Sequence, residues 1–176
     1  SQVYSYDQNN RLITLKTYGK QSALVEQYDY TLNAIGQRTL IKELSGRSTA
    51  YEYDDLGRLT KETITDATNG NRVTSYTYDK VGNRLSEVVN GVTTNSVYDN
   101  NDRITSAGTT TYTYDANGST LVENNGGVAT SYSYNAKNQL ATTTNAQGVT
   151  QYAYNVDGVR VSQTLGANST TYVVDS

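Results

Sequence analysis

Residues 51–59 read Tyr-Glu-Tyr-Asp-Asp-Leu-Gly-Arg-Leu, and variants of this short motif recur along the whole chain. Residues 76–85 hold a second clear copy, Tyr-Thr-Tyr-Asp-Lys-Val-Gly-Asn-Arg-Leu. Nine copies can be aligned, the ninth of them truncated, at a spacing of roughly 20 residues. Repetition at such a period indicates an architecture in which each repeat packs against its neighbours.

The alignment gives two aromatic columns, two residues apart, that together hold 15 of the 17 tyrosines. The first column contains Tyr4, Tyr30, Tyr51, Tyr76, Ser96, Tyr112, Tyr132, Tyr152 and Tyr172. The second column contains Tyr6, Leu32, Tyr53, Tyr78, Tyr98, Tyr114, Tyr134, Tyr154 and Val174. A spacing of two places both rings on one face of a β-strand, so each pair predicts a strand with a tyrosine face.

The aromatic columns are followed by two columns typical of a tight turn. The first holds only Asp or Asn: Asp7, Asn33, Asp54, Asp79, Asp99, Asp115, Asn135, Asn155 and Asp175. Three residues later, the eight complete copies hold Asn10, Gly36, Gly57, Gly82, Asp102, Gly118, Asn138 and Gly158. Gly, Asn and Asp best tolerate a positive φ, so we predict a hairpin loop with a left-handed residue and a bulge at this column.

An aliphatic residue restarts a strand after each turn, and these residues are expected to pack beside the tyrosines. They are Leu12, Leu40, Leu59, Leu85, Ile104, Leu121, Leu140 and Val161. We therefore predict a structural repeat motif whose clearest members are Tyr51, Tyr53, Asp54, Gly57, Arg58, Leu59, Tyr76, Tyr78, Asp79, Gly82, Arg84, Leu85, Tyr112, Tyr114, Asp115, Gly118, Tyr152, Tyr154 and Gly158.

A second turn signal lies at the far end of each repeat, as at Asn90-Gly91, so each repeat is predicted to run strand, tight turn, strand, looser turn. The predicted fold is all-β: an antiparallel meander of repeated hairpins forming a curved, spiralling sheet with open edges. Residues 1–176 are expected to form one array of about eight repeats plus a truncated ninth, without a separate second domain. The tyrosine columns should hold neighbouring repeats together, and Tyr78 should be mostly buried against Tyr53, Tyr98 or the aliphatic residues Leu59 and Leu85.

Composition limits the chemistry that the chain can perform. It contains no Cys, His, Met, Trp, Phe or Pro, which excludes disulfides and a histidine-dependent serine triad. The net charge is −3 and the sequence pI is about 4.9, which argue against nucleic acid as a partner. No apolar run approaches the length of a membrane-spanning helix. Hydrophobic residues make up 35% of the chain, tyrosines included, so we expect a sheet with little conventional core.

The carboxylates and arginines have structural interpretations that compete with functional ones. Paired acids such as Asp54-Asp55 could suggest a metal or acid–base site, and residues 115–118 and 155–158 could suggest calcium, but all of these fall on turn positions. The turn interpretation is favoured, so no catalytic residue, cofactor or metal ligand is predicted. Each arginine that follows a turn is expected to pair with a turn Asp or to stack on a Tyr ring: Arg11, Arg38, Arg58, Arg84, Arg103 and Arg160.

The motif Tyr-x-Tyr-Asp-x-x-Gly-Arg-Leu resembles the YD repeat, or Rhs repeat, over nearly all of the chain, from Tyr4 to Asp175. That family includes bacterial Rhs toxins, wall-associated proteins, shell subunits of insecticidal toxin complexes and teneurins. The resemblance implies β-hairpins in a long strip that spirals into a hollow shell, which encloses a toxin or serves as an extracellular spacer. Three residues depart from the aromatic pattern: Leu32, Ser96 and Val174.

These observations predict a non-enzymatic structural segment of a larger protein, secreted or on the cell surface of a bacterium, that acts as an encapsulating shell or rigid spacer. Its expected partners are further YD repeats of the parent chain or other copies of itself. One alternative is an adhesion module whose tyrosine-rich face binds carbohydrate or protein, and another is a self-assembling extracellular fibre or oligomer. Neither nucleic acid binding nor membrane insertion is expected.

Overall fold

The chain is built from β-strands joined by turns, as the repeated motif predicts. The structure is a computed structural model that describes residues 1–173, so Val174 and Asp175 of the truncated ninth copy lie outside the described residues. Besides one 3-10 turn at Lys20–Ser22, the elements of the described part are β1 Gln2–Tyr6, β2 Leu12–Tyr18, β3 Leu24–Leu32, β4 Arg38–Glu43, β5 Ser48–Tyr53, β6 Leu59–Thr65, β7 Arg72–Tyr78, β8 Arg84–Val89, β9 Val92–Tyr98, β10 Ile104–Ala107, β11 Thr110–Tyr114, β12 Thr120–Asn125, β13 Val128–Tyr134, β14 Leu140–Asn145, β15 Gly148–Tyr154, β16 Arg160–Leu165 and β17 Asn168–Thr171.

Each strand pairs antiparallel with the next along the chain, from β1 to β8 and from β9 to β17. The all-β antiparallel meander predicted from the sequence is therefore confirmed. Residues that lie close together in space group the chain into two compact units, one of residues 1–94 and one beginning at Asn95. We call a strand that leads into an Asp or Asn of the turn column a leading strand, and the strand after that turn a return strand.

The leading strands place both tyrosines of a motif on the same face. In β5, Tyr51 and Tyr53 are half-buried while Glu52 between them is exposed, and β7 repeats this alternation with Thr77 exposed. The strands β11, β13 and β15 show the same pattern. This alternation confirms that the tyrosines share one face and shows that their face is the more covered one.

A β-bulge follows the tight turn in all eight complete repeats. In the third repeat Tyr53 pairs with Leu59, whereas Glu52 pairs with Lys61, so Thr60 is an extra residue on the return strand. The equivalent register shift occurs in the other seven repeats. Two return-strand residues therefore oppose the second aromatic position of each motif.

The sheet has no conventional hydrophobic core. Among the described residues no apolar side chain is fully buried, and the buried residues are the polar Thr49, Asp66, Thr74 and Ser96. The expectation of little core is confirmed. Because no layer of buried apolar side chains stabilises the sheet, its stability must come from the hydrogen bonds between paired strands and from side-chain contacts between neighbouring strands.

The looser turns at the far ends of the repeats also follow the sequence signals. Asn90 and Gly91 both have positive φ, 49° and 85°, as a two-residue type I′ hairpin turn requires. Gly126 and Gly127, with φ of 57° and 96°, connect β12 to β13 in the same way. The variable spacing between motifs is taken up at these ends, where connections range from two residues to the longer loop after Thr65.

Candidate functional site

The tight turns share one hydrogen-bonded geometry, which begins with the Asp or Asn. In the third repeat, Oδ1 of Asp54 accepts hydrogen bonds from the backbone N–H groups of Leu56 and Arg58, at 3.0 and 2.9 Å. The N–H of Gly57 donates to the Asp54 carbonyl, and the N–H of Asp54 donates to the Arg58 carbonyl, both at 2.9 Å. The Asp or Asn side chain thus replaces a missing backbone partner for the loop, which explains why only these two residue types occur in the column.

The column three residues after the Asp or Asn is left-handed in every complete repeat. The φ values are 78° at Gly57, 106° at Gly82, 89° at Gly118 and 83° at Gly158. The remaining members also have positive φ: Asn10, Gly36, Asp102 and Asn138. The predicted backbone conformation is therefore confirmed at all eight positions.

In most repeats the residue directly after the left-handed position connects its turn to the turn of the next repeat. Nε of Arg58 lies 2.7 Å from Oδ2 of Asp54, while Nη1 of Arg58 donates a 2.8 Å hydrogen bond to the carbonyl of Asp79 in the following repeat. Arg11 and Arg103 make the same two kinds of contact with their own turn Asp and with the next turn. We call this residue the clamp residue, because it connects two successive turns.

Other side chains take the place of the clamp arginine in some repeats. Where the turn begins with Asn, as at Asn33, the clamp residue is Gln37, which accepts from the Asn33 amide and donates to the carbonyl of Gly57 at 2.9 Å. Gln139 pairs with Asn135 in the same way, and its amide lies 3.4 Å from the carbonyl of Gly158. Asp with Arg in three repeats and Asn with Gln in two are thus matched pairs that perform the same connection.

The clamp contacts also set the ionisation of the turn carboxylates. Hydrogen bonds from the backbone and side chain of Arg58 hold the pKa of Asp54 below its ordinary value, although partial burial opposes the shift. Arg11 and Arg103 lower the pKa of Asp7 and Asp99 for the same reasons. A lowered pKa favours the charged form, so these carboxylates serve as hydrogen-bond acceptors in their turns.

The second aromatic column connects neighbouring repeats through its hydroxyl groups. Tyr78 donates a 2.7 Å hydrogen bond to the carbonyl of Leu59 on the preceding return strand. Four further hydroxyls donate to carbonyls at the equivalent position, five residues after the preceding Asp or Asn: Tyr53 to Arg38, Tyr114 to Ile104, Tyr134 to Thr120 and Tyr154 to Leu140. A tyrosine column therefore connects repeats by its hydroxyl tip as well as by its ring.

The arginines fall into two classes that the sequence alone did not separate. Clamp arginines pair with a turn Asp, and Arg58 and Arg103 also lie over the second tyrosine of the next repeat, 4.9 Å from the Tyr78 ring and 5.0 Å from the Tyr114 ring. Arginines one residue later lie over the first aromatic column instead, as Arg84 lies 5.6 Å from the Tyr76 ring. Arg38 and Arg160 belong to this second class. Both predicted roles occur, but pairing with the turn Asp belongs to the clamp position.

The bulge explains why the aliphatic column does not sit at a fixed distance from the turn. Leu59 pairs directly with Tyr53, whereas Leu85 is the extra residue of its bulge, next to Arg84. Because two residues oppose one at the bulge, either position can carry the aliphatic side chain. Packing beside the tyrosines is only partial, however, since Leu85 is 41% exposed. The bulge predicted with the hairpin loop is therefore confirmed, and the structure adds that its extra residue lies on the return strand, which the one-residue offset of the aliphatic column reflects.

The contacts of Tyr78 differ in kind from those expected. The side chain is half-buried, its hydroxyl bonds to the main chain of Leu59, and its ring lies under the guanidinium of Arg58. Tyr78 therefore does contact the predicted neighbour Leu59, and the contact is a hydrogen bond to its main-chain carbonyl. The first-repeat tyrosines Tyr4 and Tyr6 are 47% and 53% exposed, in contrast to the half-buried tyrosines of later repeats.

A model of the Teneurin YD-shell family matches residues 5–159 of the chain, which is most of its length. The chain therefore belongs to the YD-shell family, as the motif indicated. No curated protein sequence is significantly similar to it. Within the described residues, no helix is long and apolar enough to span a membrane.

Solved structures of Tc toxin components have the same fold. A crystal structure of TcdB2-TccC3 without its hypervariable C-terminal region has a TM-score of 0.74 at 17% sequence identity, over 95% of this chain and 11% of that one. A TcdB2-TccC3-Cdc42 structure gives 0.69 at 16% identity, with the same coverage of both chains. A Tc holotoxin pore from Photorhabdus luminescens gives 0.51 at 15% identity, over 97% of this chain and 14% of that one. The chain thus spans about a tenth of the length of these larger proteins.

Proposed function

We propose that this chain is a structural segment of a larger secreted or cell-surface protein, in which the YD repeats act as part of an encapsulating shell or a rigid spacer. We propose further that residues 1–176 work as one array of about eight repeats and a truncated ninth. The supporting observation is the row of contacts between repeats, in which the Tyr hydroxyls and the clamp residues are used to join one hairpin to the next. Membership in the YD-shell family and the fold shared with Tc toxin components support the same role.

A role without catalysis or cofactors is part of this proposal. The turn carboxylates are already engaged by backbone N–H groups, as Asp54 is by Leu56 and Arg58. Their lowered pKa follows from those hydrogen bonds and from the clamp arginine, so a perturbed pKa has a structural cause here. The residues of the repeat motif, from Tyr51 to Leu59 and at the equivalent positions, would then contribute to shape and stability.

The second candidate is a binding module for carbohydrate or protein, and the exposure of Tyr4 and Tyr6 favours it. In later repeats, however, several rings are covered on one side by a guanidinium, as Tyr30 is by Arg38 at 4.6 Å. A sugar that stacks on a ring would have to displace this cation. The covered rings support the scaffold function over the adhesion function.

A glycan array probed with the whole chain separates the two functions. The scaffold proposal expects no saturable binding to any glycan, whereas an adhesion module would bind one class of sugar. The matched control is a Tyr4→Ala variant, which removes an exposed ring while leaving the contacts between repeats intact. Glycan binding that is saturable in the wild type and lost in the variant would refute the scaffold proposal.

A further inference from the structure

In the fourth repeat, a tyrosine of the first aromatic column lies beside both a carboxylate and an arginine. Glu87 pairs with Tyr76 across β7 and β8, so the two side chains share one face of the sheet. The Cζ atom of Arg84 lies 5.6 Å from the centre of the Tyr76 ring, and its Nη1 lies 3.9 Å from Oε1 of Glu87. An aromatic ring beside a carboxylate thus holds a guanidinium within the chain itself.

The sixth repeat has the same tyrosine and carboxylate without the arginine. Glu123 pairs with Tyr112 across β11 and β12, in the register of the fourth repeat. Thr120 occupies the position that Arg84 has there, opposite the second tyrosine of the motif. Within the described part of the chain, no cation lies over the Tyr112 ring and no basic side chain forms an ion pair with Glu123.

Glu123 is oriented by the neighbouring strand and borders an open space. Tyr132 on β13 donates a 3.1 Å hydrogen bond to Oε2 of Glu123. Burial raises the pKa of Tyr132, and the hydrogen bond and negative charge of Glu123 raise it further, so the hydroxyl stays a donor. Glu123 also lines an open depression of about 430 Å³ together with Asn125, Val128 and Thr130. A carboxylate has about four acceptor positions, so Glu123 can accept further hydrogen bonds from a group in this depression.

We propose that Tyr112, Glu123 and the depression beside them form a binding site for the guanidinium of an arginine side chain from another polypeptide. The Glu123 carboxylate would accept two N–H groups of the planar cation, and the Tyr112 ring would cover one of its faces. The chain itself favours a guanidinium over an ammonium, because Arg38 and Arg160 lie over first-column tyrosines of the second and eighth repeats. The site adds a ligand to the array and does not depend on its role as shell or spacer.

A similar pair in the third repeat is less suited to an added cation. Glu62 pairs with Tyr51, and Leu59 occupies the arginine position. Burial and the charge of Glu62 raise the pKa of Tyr51, but the nearby positive charges of Arg47 and Arg38 oppose this rise. Cations of the chain therefore already act on the third-repeat pair, and the sixth repeat is the better site for an external one.

A titration of the isotopically labelled whole chain with Nα-acetylarginine amide tests the proposal by NMR. We expect chemical-shift changes that saturate at millimolar ligand and are centred on Tyr112, Glu123 and Thr130. Nα-acetylcitrulline amide, which has nearly the same shape without the charge, should bind roughly tenfold more weakly or worse. Nα-acetyllysine amide should bind roughly two- to fivefold more weakly than the arginine derivative, because an ammonium lacks the planar fork that matches a carboxylate.

Variants of the chain test which residues hold the ligand. Glu123→Gln keeps the shape and an acceptor for Tyr132 but removes the charge, so the arginine derivative should bind roughly three- to tenfold more weakly. Thr120→Arg introduces an arginine at the position of Arg84, which should occupy the site from within the chain and abolish the shift changes. The matched control is Glu87→Gln, which alters a carboxylate that already lies beside an arginine and should leave ligand binding as in the wild type.

Several results would overturn the proposal. Shift changes that do not saturate, that lie away from β11–β13 or that are equal for the citrulline derivative would show that no guanidinium site exists there. Unchanged binding in Glu123→Gln or Thr120→Arg would show that the ligand lies elsewhere. Equal affinity for the lysine derivative would refute the preference for a guanidinium. None of these results involves glycan binding, so failure of this inference and failure of the scaffold function are separately observable.

Discussion

Replacement of Tyr78 by Ala tests whether the tyrosine columns hold the array together. The mutation removes a half-buried ring, its 2.7 Å hydrogen bond to the Leu59 carbonyl and its cation–π contact with the guanidinium of Arg58. Full burial of an aromatic ring stabilises by about 1.5–3 kcal/mol, and about half of that applies here. The hydrogen bond adds about 1 kcal/mol and the cation–π contact about 0.5–1 kcal/mol. The free energy of unfolding should therefore fall by about 2–4 kcal/mol.

The measurement is urea denaturation of the whole chain, followed by circular dichroism, with two matched controls. Tyr4→Ala removes a first-repeat ring that is 47% exposed and bonds only locally to Gln2, so its cost should be below about 1 kcal/mol. Tyr78→Phe isolates the hydroxyl and should cost about 0.5–1.5 kcal/mol. Equal and small losses for Tyr78→Ala and Tyr4→Ala would show that the columns do not join repeats, and the adhesion function would then be favoured.

Three further predictions concern the tight turns. Gly82→Val should cost about 1–3 kcal/mol in thermal unfolding, since φ is 106° and no neighbour lies within 4 Å of an added Cβ, whereas Gly82→Asn should cost much less; equal costs would contradict a purely backbone effect. Asp54→Asn combined with Arg58→Gln recreates the amide pair used elsewhere in the chain, so the double variant should be more stable than Arg58→Gln alone, and a double-variant cycle without coupling would refute matched pairing. Stability should fall as the pH drops below about 4. Folding lowers the pKa of Asp54, so its charged form stabilises the folded state above the pKa that Asp54 has in the unfolded chain, and this stability is lost when Asp54 is protonated. An Asp54→Asn variant whose acid unfolding transition is unchanged would contradict this.

The repeated columns predicted the fold because they encode local geometry. A tyrosine spacing of two specifies a strand face, and the turn column of Gly, Asn and Asp specifies a left-handed residue, as the φ of 78° at Gly57 and 58° at Asp102 shows. Both properties depend on one residue and its immediate neighbours. Local signals repeated eight times are therefore sufficient to define an antiparallel meander.

The contacts between repeats could not be predicted with the same detail. The sequence places Arg58 and Arg84 in similar positions after a turn, but a difference of one residue decides whether the cation lies over the second or the first aromatic column. The acceptors of Arg58 and Tyr78 are main-chain carbonyls, which leave no residue-type signal in a sequence. The strand register that brings these carbonyls within reach depends on the bulge, whose extra residue, such as Thr60, has no distinctive composition.

The lack of a buried apolar layer has a consequence for how such chains diverge. In an ordinary core, a change in one side chain must be compensated by others that fill the same volume, and this restricts how far the sequence can change. Here no described apolar side chain is fully buried, and the junctions use main-chain carbonyls that any residue supplies. Positions outside the columns can therefore change independently of one another, and whole hairpins can be gained or lost without repacking. We expect such freedom to let the fold persist while the sequence changes, and the fold is shared with a Tc toxin component at a TM-score of 0.74 and 17% sequence identity.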